Sequence, residues 1–219
     1  MELSLRPPIL AVDLGAPHRV LSWALEGGGL REAQAVVWRQ VRDGDLGLDV
    51  DAGALLRGAL SGCGRPEAVG LLTSASVSRV VHCRAELEHQ GERAAAECVA
   101  TVGLGNRLRI GDPPGLAPVA GTINLLVQVG QPLSAAALLE VLSLAVEART
   151  LAVHELGVAS VRSGDRATGT GTDCVVVAAP LTGAAPLAFA GKHTAIGSAV
   201  GRCVLDAVRA GGRACLESP

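Results

Sequence analysis

"ATGTGTDCVVVAAP", residues 167–180, passes from alternating threonine and glycine straight into an uninterrupted apolar run. Thr168, Gly169, Thr170, Gly171 and Thr172 have the composition of a turn, and the residues after Asp173 read as a buried strand. Asp173 stands at the junction. A carboxylate at the mouth of a buried strand must find donors or carry a heavy desolvation cost, which marks it for a functional or network role.

The neighbours of this strand decide the class of fold. Upstream, residues 134–156 give the strongest helical pattern: Leu138, Leu142, Ala145, Arg149 and Ala152, with Leu139, Val146 and Val153, recur at helical spacing. Ser134 can cap its start, and the glycine of "GVAS" its end. Before it, "GTINLLVQV" (121–129) reads as a strand and "GNRLRIGDPPG" (105–115) as a loop. "VVHCRAELE" (80–88) and "AAECVATVGL" (95–104) alternate faces and predict a hairpin around "HQGER". Nearer the N-terminus, strands are expected at 9–14, 19–25, 33–41 and 68–74, the first two separated by a Gly-Ala-Pro turn. A shorter helix is expected after Asp51, with Leu55, Leu56 and Leu60 on one face. Downstream, "PLAFAG" (186–191) reads as a strand. A second long helix spans 193–212, with Ala195, Ser198, Ala199 and Gly201 suited to close packing on a sheet. Many strands, partly joined as hairpins, with two long helices and one shorter one, predict an α+β fold. The sheet is expected to be mixed or largely antiparallel, within a single domain over 1–219.

Composition narrows the function. Hydrophobic residues make up 49% of the chain and the mean hydropathy is +0.38, yet no apolar run reaches the roughly 18 to 20 residues of a membrane-spanning helix. Aromatic residues make up 1% and the formal net charge is −2. Neither the stacking platforms nor the basic groove of a nucleic-acid binder is present. The N-terminus lacks the pattern of a signal peptide, which makes the cytoplasm the expected location. The six cysteines include no C-x-x-C pair and the five histidines no H-x-x-x-H pair, so no cofactor is expected. A divalent metal stays open, with His193, Asp173 and Glu147 as the ligands it would use. Homo-oligomerisation is also open.

Chemistry is expected where small polar turns meet buried strands. Four segments have this character: 71–80 with Ser74, 103–112 with Asn106, 120–127 with Gly121, Thr122 and Asn124, and 167–177. The glycines at 169 and 171 allow close backbone approach to a ligand, and the threonines offer hydroxyls. No phosphate-binding loop and no nucleophile elbow is found. "AGKHTAIG" (190–197) adds Lys192 and His193 ahead of the last helix, where His193 is a candidate acid or base.

Six segments in order resemble the adenosylcobinamide amidohydrolase family of corrinoid salvage enzymes: "RVLSWALEGGGL", "VGLLTSASVSRV", "TVGLGNRLRIGD", "AGTINLLVQVGQPLSAAALLEVLSLAVEART", "ATGTGTDCVVVAAP" and "FAGKHTAIGSAVG". The resemblance implies a corrinoid substrate and hydrolysis of the amide joining the corrin's propionyl side chain to aminopropanol, which releases adenosylcobyric acid. On that basis Asp173, Thr172, Thr170, His193 and Asn124 are the expected catalytic group. Asp173 would orient or deprotonate a water or the hydroxyl of Thr172 or Thr170, Asn124 and backbone N–H groups of the glycine-threonine loop would serve the oxyanion, and His193 would protonate the leaving amine. Ser74, Asn106, Gly121, Thr122, Thr168, Gly169, Gly171, Lys192 and Glu147 are the expected substrate contacts. The chain carries Glu147-Ala148-Arg149 where the family often has Glu-Ala-Lys, and Leu21-Ser22-Trp23-Ala24 where it often has a second serine. A neutral lysine base and a catalytic second serine are therefore not expected.

Overall fold

The computed structural model describes every residue except 43, 48, 116–118 and 218–219. Its fold is α+β, with three helices, a mixed eight-stranded sheet and a separate two-stranded one. The large sheet contains β1 (Glu2–Arg6), β2 (Ile9–Ser22), β3 (Gly29–Gln40), β4 (Val69–Thr73), β5 (Val81–His89), β6 (Glu92–Val102), β8 (Ile123–Val129) and β10 (Cys174–Pro180). The short strands β7 (Arg107–Leu108) and β9 (Gly169–Thr170) pair with each other. The helices are α1 (Ala52–Gly62), α2 (Ala135–Glu155) and α3 (Ala195–Leu216).

The strand holding Val175 and Val177 lies at the centre. Along the path β4-β3-β2-β10-β8-β6-β5, β10 is parallel to β8 and antiparallel to β2. Helix α2 makes the crossover between β8 and β10, and α1 makes the crossover between the parallel strands β3 and β4. Antiparallel neighbours supply the rest.

The period of two along each strand separates three apolar layers. Ile123, Leu125, Val127, Val175 and Val177 face α2 and α3. Their alternates Leu126, Cys174 and Val176 face inward and share a cluster with Leu10, Val12, Trp38, Val69 and Leu71. Ala11, Ala35 and Val37 pack with Leu60 and Ala68 in a third cluster. The sheet is open but curled, because the inward cluster joins residues of β4 to residues of β8, four strands away along the path.

Helix starts follow the sequence. Asp51, Ser134 and Thr194 each accept a backbone N–H three residues on, at 2.9, 3.1 and 3.0 Å. Close approach explains the small residues of α3. A Cβ on Gly197 would stand 2.2 Å from the Gly191 carbonyl oxygen, and one on Gly212 would stand 2.3 Å from Leu156.

Three expectations need correction. Residues 9–22 form one long strand, and "GAP" is a bulge between Asp13 and His18 rather than a turn. Gly15 adopts φ 85° and donates to the Asp13 carboxylate at 2.8 Å, so β3 can pair on both sides of the irregularity. Residues 23–25 leave the sheet. Residues 186–191 are not a strand, since only Leu187 bridges, to Leu133. Beyond these, β1 pairs with β2 across the Pro7-Pro8 turn, an edge pairing that the short polar stretch did not announce.

Candidate active site

The four small polar turns converge on one cleft of about 800 Å³. It opens beside the ends of β3 and β4 and the starts of β8 and β10. Ser74, Asn106, Gly121, Thr122, Asn124, Gly171, Thr172 and Asp173, from all four segments, line it.

Interlocked backbone holds the turns together. Thr170 and Gly169 pair with Arg107 and Leu108, and the Gly171 N–H donates to the Asn106 carbonyl at 3.2 Å. Contact is too close for side chains at several of their glycines. A Cβ on Gly121 would lie 2.2 Å from the Asn106 nitrogen, and one on Gly169 would lie 2.6 Å from both Arg149 Nη1 and Asp173 Oδ2.

Asp173 finds the donors its position demands. Oδ1 accepts from the Ile123 N–H at 3.0 Å and from the Thr170 hydroxyl, while Oδ2 accepts from the Thr170 N–H at 2.9 Å. The Arg149 guanidinium completes the shell through Nη1. Burial pulls the Arg149 pKa down from its ordinary value, but a guanidinium stays charged in proteins. Every oxygen of this carboxylate is therefore committed to fixing the turn and the start of β8.

The other polar groups are less completely satisfied. Thr172 Oγ1 donates to the Gly121 carbonyl at 3.0 Å and shares a 2.8 Å hydrogen bond with Thr122 Oγ1. Asn124, 1% exposed, donates from Nδ2 to the Leu72 carbonyl at 2.7 Å. A flipped amide would set two oxygens together there, so the network fixes its orientation. Among the described residues, the buried Asn124 Oδ1 finds no partner, and neither do Asn106 Oδ1 and Ser74 Oγ. These three unpartnered polar atoms belong to residues that line one cleft.

A polar row backs the cleft. Cys174, Asn124 and Thr101 are register neighbours across β10, β8 and β6, and Thr73 Oγ1 reaches Thr101 Oγ1 at 3.4 Å. Burial pushes the Cys174 thiol pKa up, against the lowering effect of its hydrogen bond with Ser22. That thiol is a poor nucleophile.

Several expected residues lie elsewhere. Thr168 and Gly169 sit behind the lining, where Thr168 Oγ1 accepts the Ile110 N–H at 2.8 Å. Thr170 faces Asp173 rather than the cleft. Lys192 and Glu147 pair with each other and line a different groove, between α2, α3 and β5. His193 is exposed ahead of α3 and does not line the cleft. Among the described residues, no three His, Cys, Asp or Glu side chains are grouped to hold a metal. His193, Asp173 and Glu147 form no such group.

The structure also gives roles that the sequence reading did not assign. Arg149 is the charge partner of Asp173, and Trp23, Leu25, Leu46 and Val119 make an exposed apolar rim. A pairing between residue 149, within a helix, and residue 173 carries no local signal, although a long helix preceding an isolated buried carboxylate was a hint.

Fold and cleft together define a mixed α+β protein with a cleft lined by hydroxyls and carboxamides. The family model described as adenosylcobinamide amidohydrolase matches residues 1–218, and the chain belongs to that family. It is thus a member of an amidohydrolase family whose name specifies a corrinoid substrate. Among solved structures, the PH0078 protein from Pyrococcus horikoshii OT3 is similar, at 13% identity and a TM-score of 0.46, over 95% of this chain and 76% of that one. No curated protein matches significantly. No helix among the described residues is long and apolar enough to cross a membrane.

Proposed function

We propose that the protein hydrolyses the amide between the corrin propionyl side chain and aminopropanol in adenosylcobinamide, giving adenosylcobyric acid for cobalamin salvage. The observation that carries this reading is the trio of orphaned atoms, Asn106 Oδ1, Asn124 Oδ1 and Ser74 Oγ, on one cleft. Two carboxamide oxygens and a hydroxyl complement the N–H groups that an amide-rich corrinoid presents.

Water adds across the C–N bond. Its oxygen joins the carbonyl carbon, the nitrogen leaves with a proton as aminopropanol, and the acid ionises to a carboxylate. Asn124 Nδ2 is committed to Leu72, so the developing oxyanion is assigned to the hydroxyls of Thr122 and Thr172, whose protons would rotate away from Thr172 Oγ1 and the Gly121 carbonyl to reach it. Asp173 holds the turn that presents Thr172. His193 is not among the lining residues, so protonation of the amine is left to solvent.

The saturation of Asp173 favours a second reading, a corrinoid-binding protein without hydrolysis. Incubation with adenosylcobinamide in ¹⁸O-labelled water separates the two. The proposal expects free aminopropanol and adenosylcobyric acid carrying one labelled oxygen by mass spectrometry. Tight binding with no product supports the second reading and sinks the first.

A further inference from the structure

The chain has two tryptophans, no tyrosine and one phenylalanine. Trp38 is fully buried in the inward core, but Trp23 stands 48% exposed on the wall of the cleft. A half-exposed indole is costly to leave in water when the same chain buries its other one.

Trp23 is also held still. Its Nε1–H donates to the Asp173 main-chain carbonyl at 2.8 Å, which ties the ring to the residue that fixes the threonine turn. The following residue, Ala24, donates its N–H to Ser22 Oγ at 3.0 Å. Gly28 packs so closely behind that a Cβ there would stand 2.4 Å from the Ala24 carbonyl oxygen. The ring is therefore a fixed face rather than a swinging side chain, and Leu25, Leu46 and Val119 extend it as an apolar rim around the same cleft.

We infer that Trp23 is a substrate-binding platform on which the flat conjugated corrin ring of the substrate lies, with its scissile side chain directed down toward Thr172 and Asn124. This rests on the corrinoid reading of the cleft and adds to it a specificity-determining residue. A rigid aromatic face suits a broad planar ligand because it contributes contact area with little ordering cost on the protein side. The polar floor and the apolar wall then divide the work. Orphaned acceptors read the side-chain amides, and the indole with its aliphatic rim reads the macrocycle.

The test separates binding from turnover. Equilibrium dialysis of the full chain with cobyric acid, in adenosylated and non-adenosylated forms, measures recognition of the ring without a cleavable aminopropanol amide. Trp23→Ala is expected to weaken both forms about tenfold, and Trp23→Phe, which keeps a ring face but loses the N–H, to stay within about threefold of the parent. Circular dichroism and the urea midpoint confirm that the variants fold. Equal binding by Trp23→Ala and the parent overturns the platform, and so does a Trp23→Phe as weak as Trp23→Ala, which would assign the effect to the tether. A loss confined to the adenosylated form also overturns it, by placing the adenine rather than the corrin on the indole. Failure of the hydrolytic reading looks different: the parent binds cobyric acid, Trp23→Ala does not, and no aminopropanol is released from adenosylcobinamide.

Discussion

Arg149 of α2 and Asp173 at the start of β10 form an ion pair beneath the threonine turn, with side chains 12% and 7% exposed. The pair joins the helix layer to the loop that carries Thr172. It is set at depth, so breaking one half is expected to cost more than the pair contributes as a whole. Asp173→Ala leaves a buried guanidinium and strips the acceptor from Ile123 and Thr170. It is expected to lose about 3 to 5 kcal/mol in urea unfolding. Arg149→Met with Asp173→Leu should recover part of that stability without recovering turnover. An Asp173→Ala protein as stable as the parent would show that the pair does not anchor the turn.

Thr172 offers a more direct probe of the chemistry. Its hydroxyl hydrogen-bonds to Thr122 and the Gly121 carbonyl, and the residue is exposed, so Thr172→Val, which is nearly isosteric, removes little packing. Loss of an oxyanion donor lowers kcat by about 10²- to 10³-fold, and Thr172→Ser, which keeps the hydroxyl, is expected to retain most of the rate. Steady-state kinetics with adenosylcobinamide reads both values. A mass shift trapped on Thr172 itself would replace water attack with an acyl-enzyme route.

Much of this architecture was legible because apolar periodicity and capping chemistry are local. Ser134 caps the helix that the pattern placed after it, Thr194 caps α3 just inside the expected 193–212 span, and the β5–β6 hairpin turns at Gln90-Gly91 within "HQGER". The long strand β2 was missed because a bulge and a turn share one composition, and only the length of the partner strand β3 distinguishes them. The site divides in the same way. Small polar turns at strand ends are visible in one dimension, and the four that were singled out do meet. Which face His193 occupies depends on how α3 seats against the sheet, and that is settled by packing across the whole domain rather than by neighbouring residues. Trp23 fell inside a quoted segment, but nothing local separates it from the buried Trp38.

His18 gives a pH signature of folding away from the cleft. It is buried in the sheet, with Nδ1 donating to the Ala16 carbonyl at 2.8 Å and Nε2 accepting from Gln128 at 2.8 Å. Burial lowers its pKa from the ordinary 6.5, against the raising effect of the Ala16 bond. The unfolded chain therefore binds the proton more readily, so the neutral ring's contribution is fully present above about pH 6.5 and is lost as pH falls through the folded value. Urea unfolding from pH 7.5 down to 4.5 is expected to show a decline in stability that flattens in His18→Gln. An identical slope in both proteins would assign the acid sensitivity to other groups, of which the Asp13–Arg65 pair acts only lower, near the carboxylate range.

Ser74 tests whether the orphaned atoms are there for a ligand. Its hydroxyl is buried without a partner, so Ser74→Ala removes an unsatisfied group and is expected to leave the unfolding midpoint unchanged or raise it. Asn124→Leu differs, because it also deprives the Leu72 carbonyl of its donor, and should cost about 1 to 3 kcal/mol. If both atoms accept substrate N–H groups, each variant binds cobyric acid or adenosylcobinamide about three- to tenfold more weakly, from roughly 0.5 to 1.5 kcal/mol per hydrogen bond. The contrast in stability with a shared loss of affinity is what a structural role cannot produce. A Ser74→Ala protein that is destabilised yet binds corrinoid like the parent would place that hydroxyl in the fold rather than in the site.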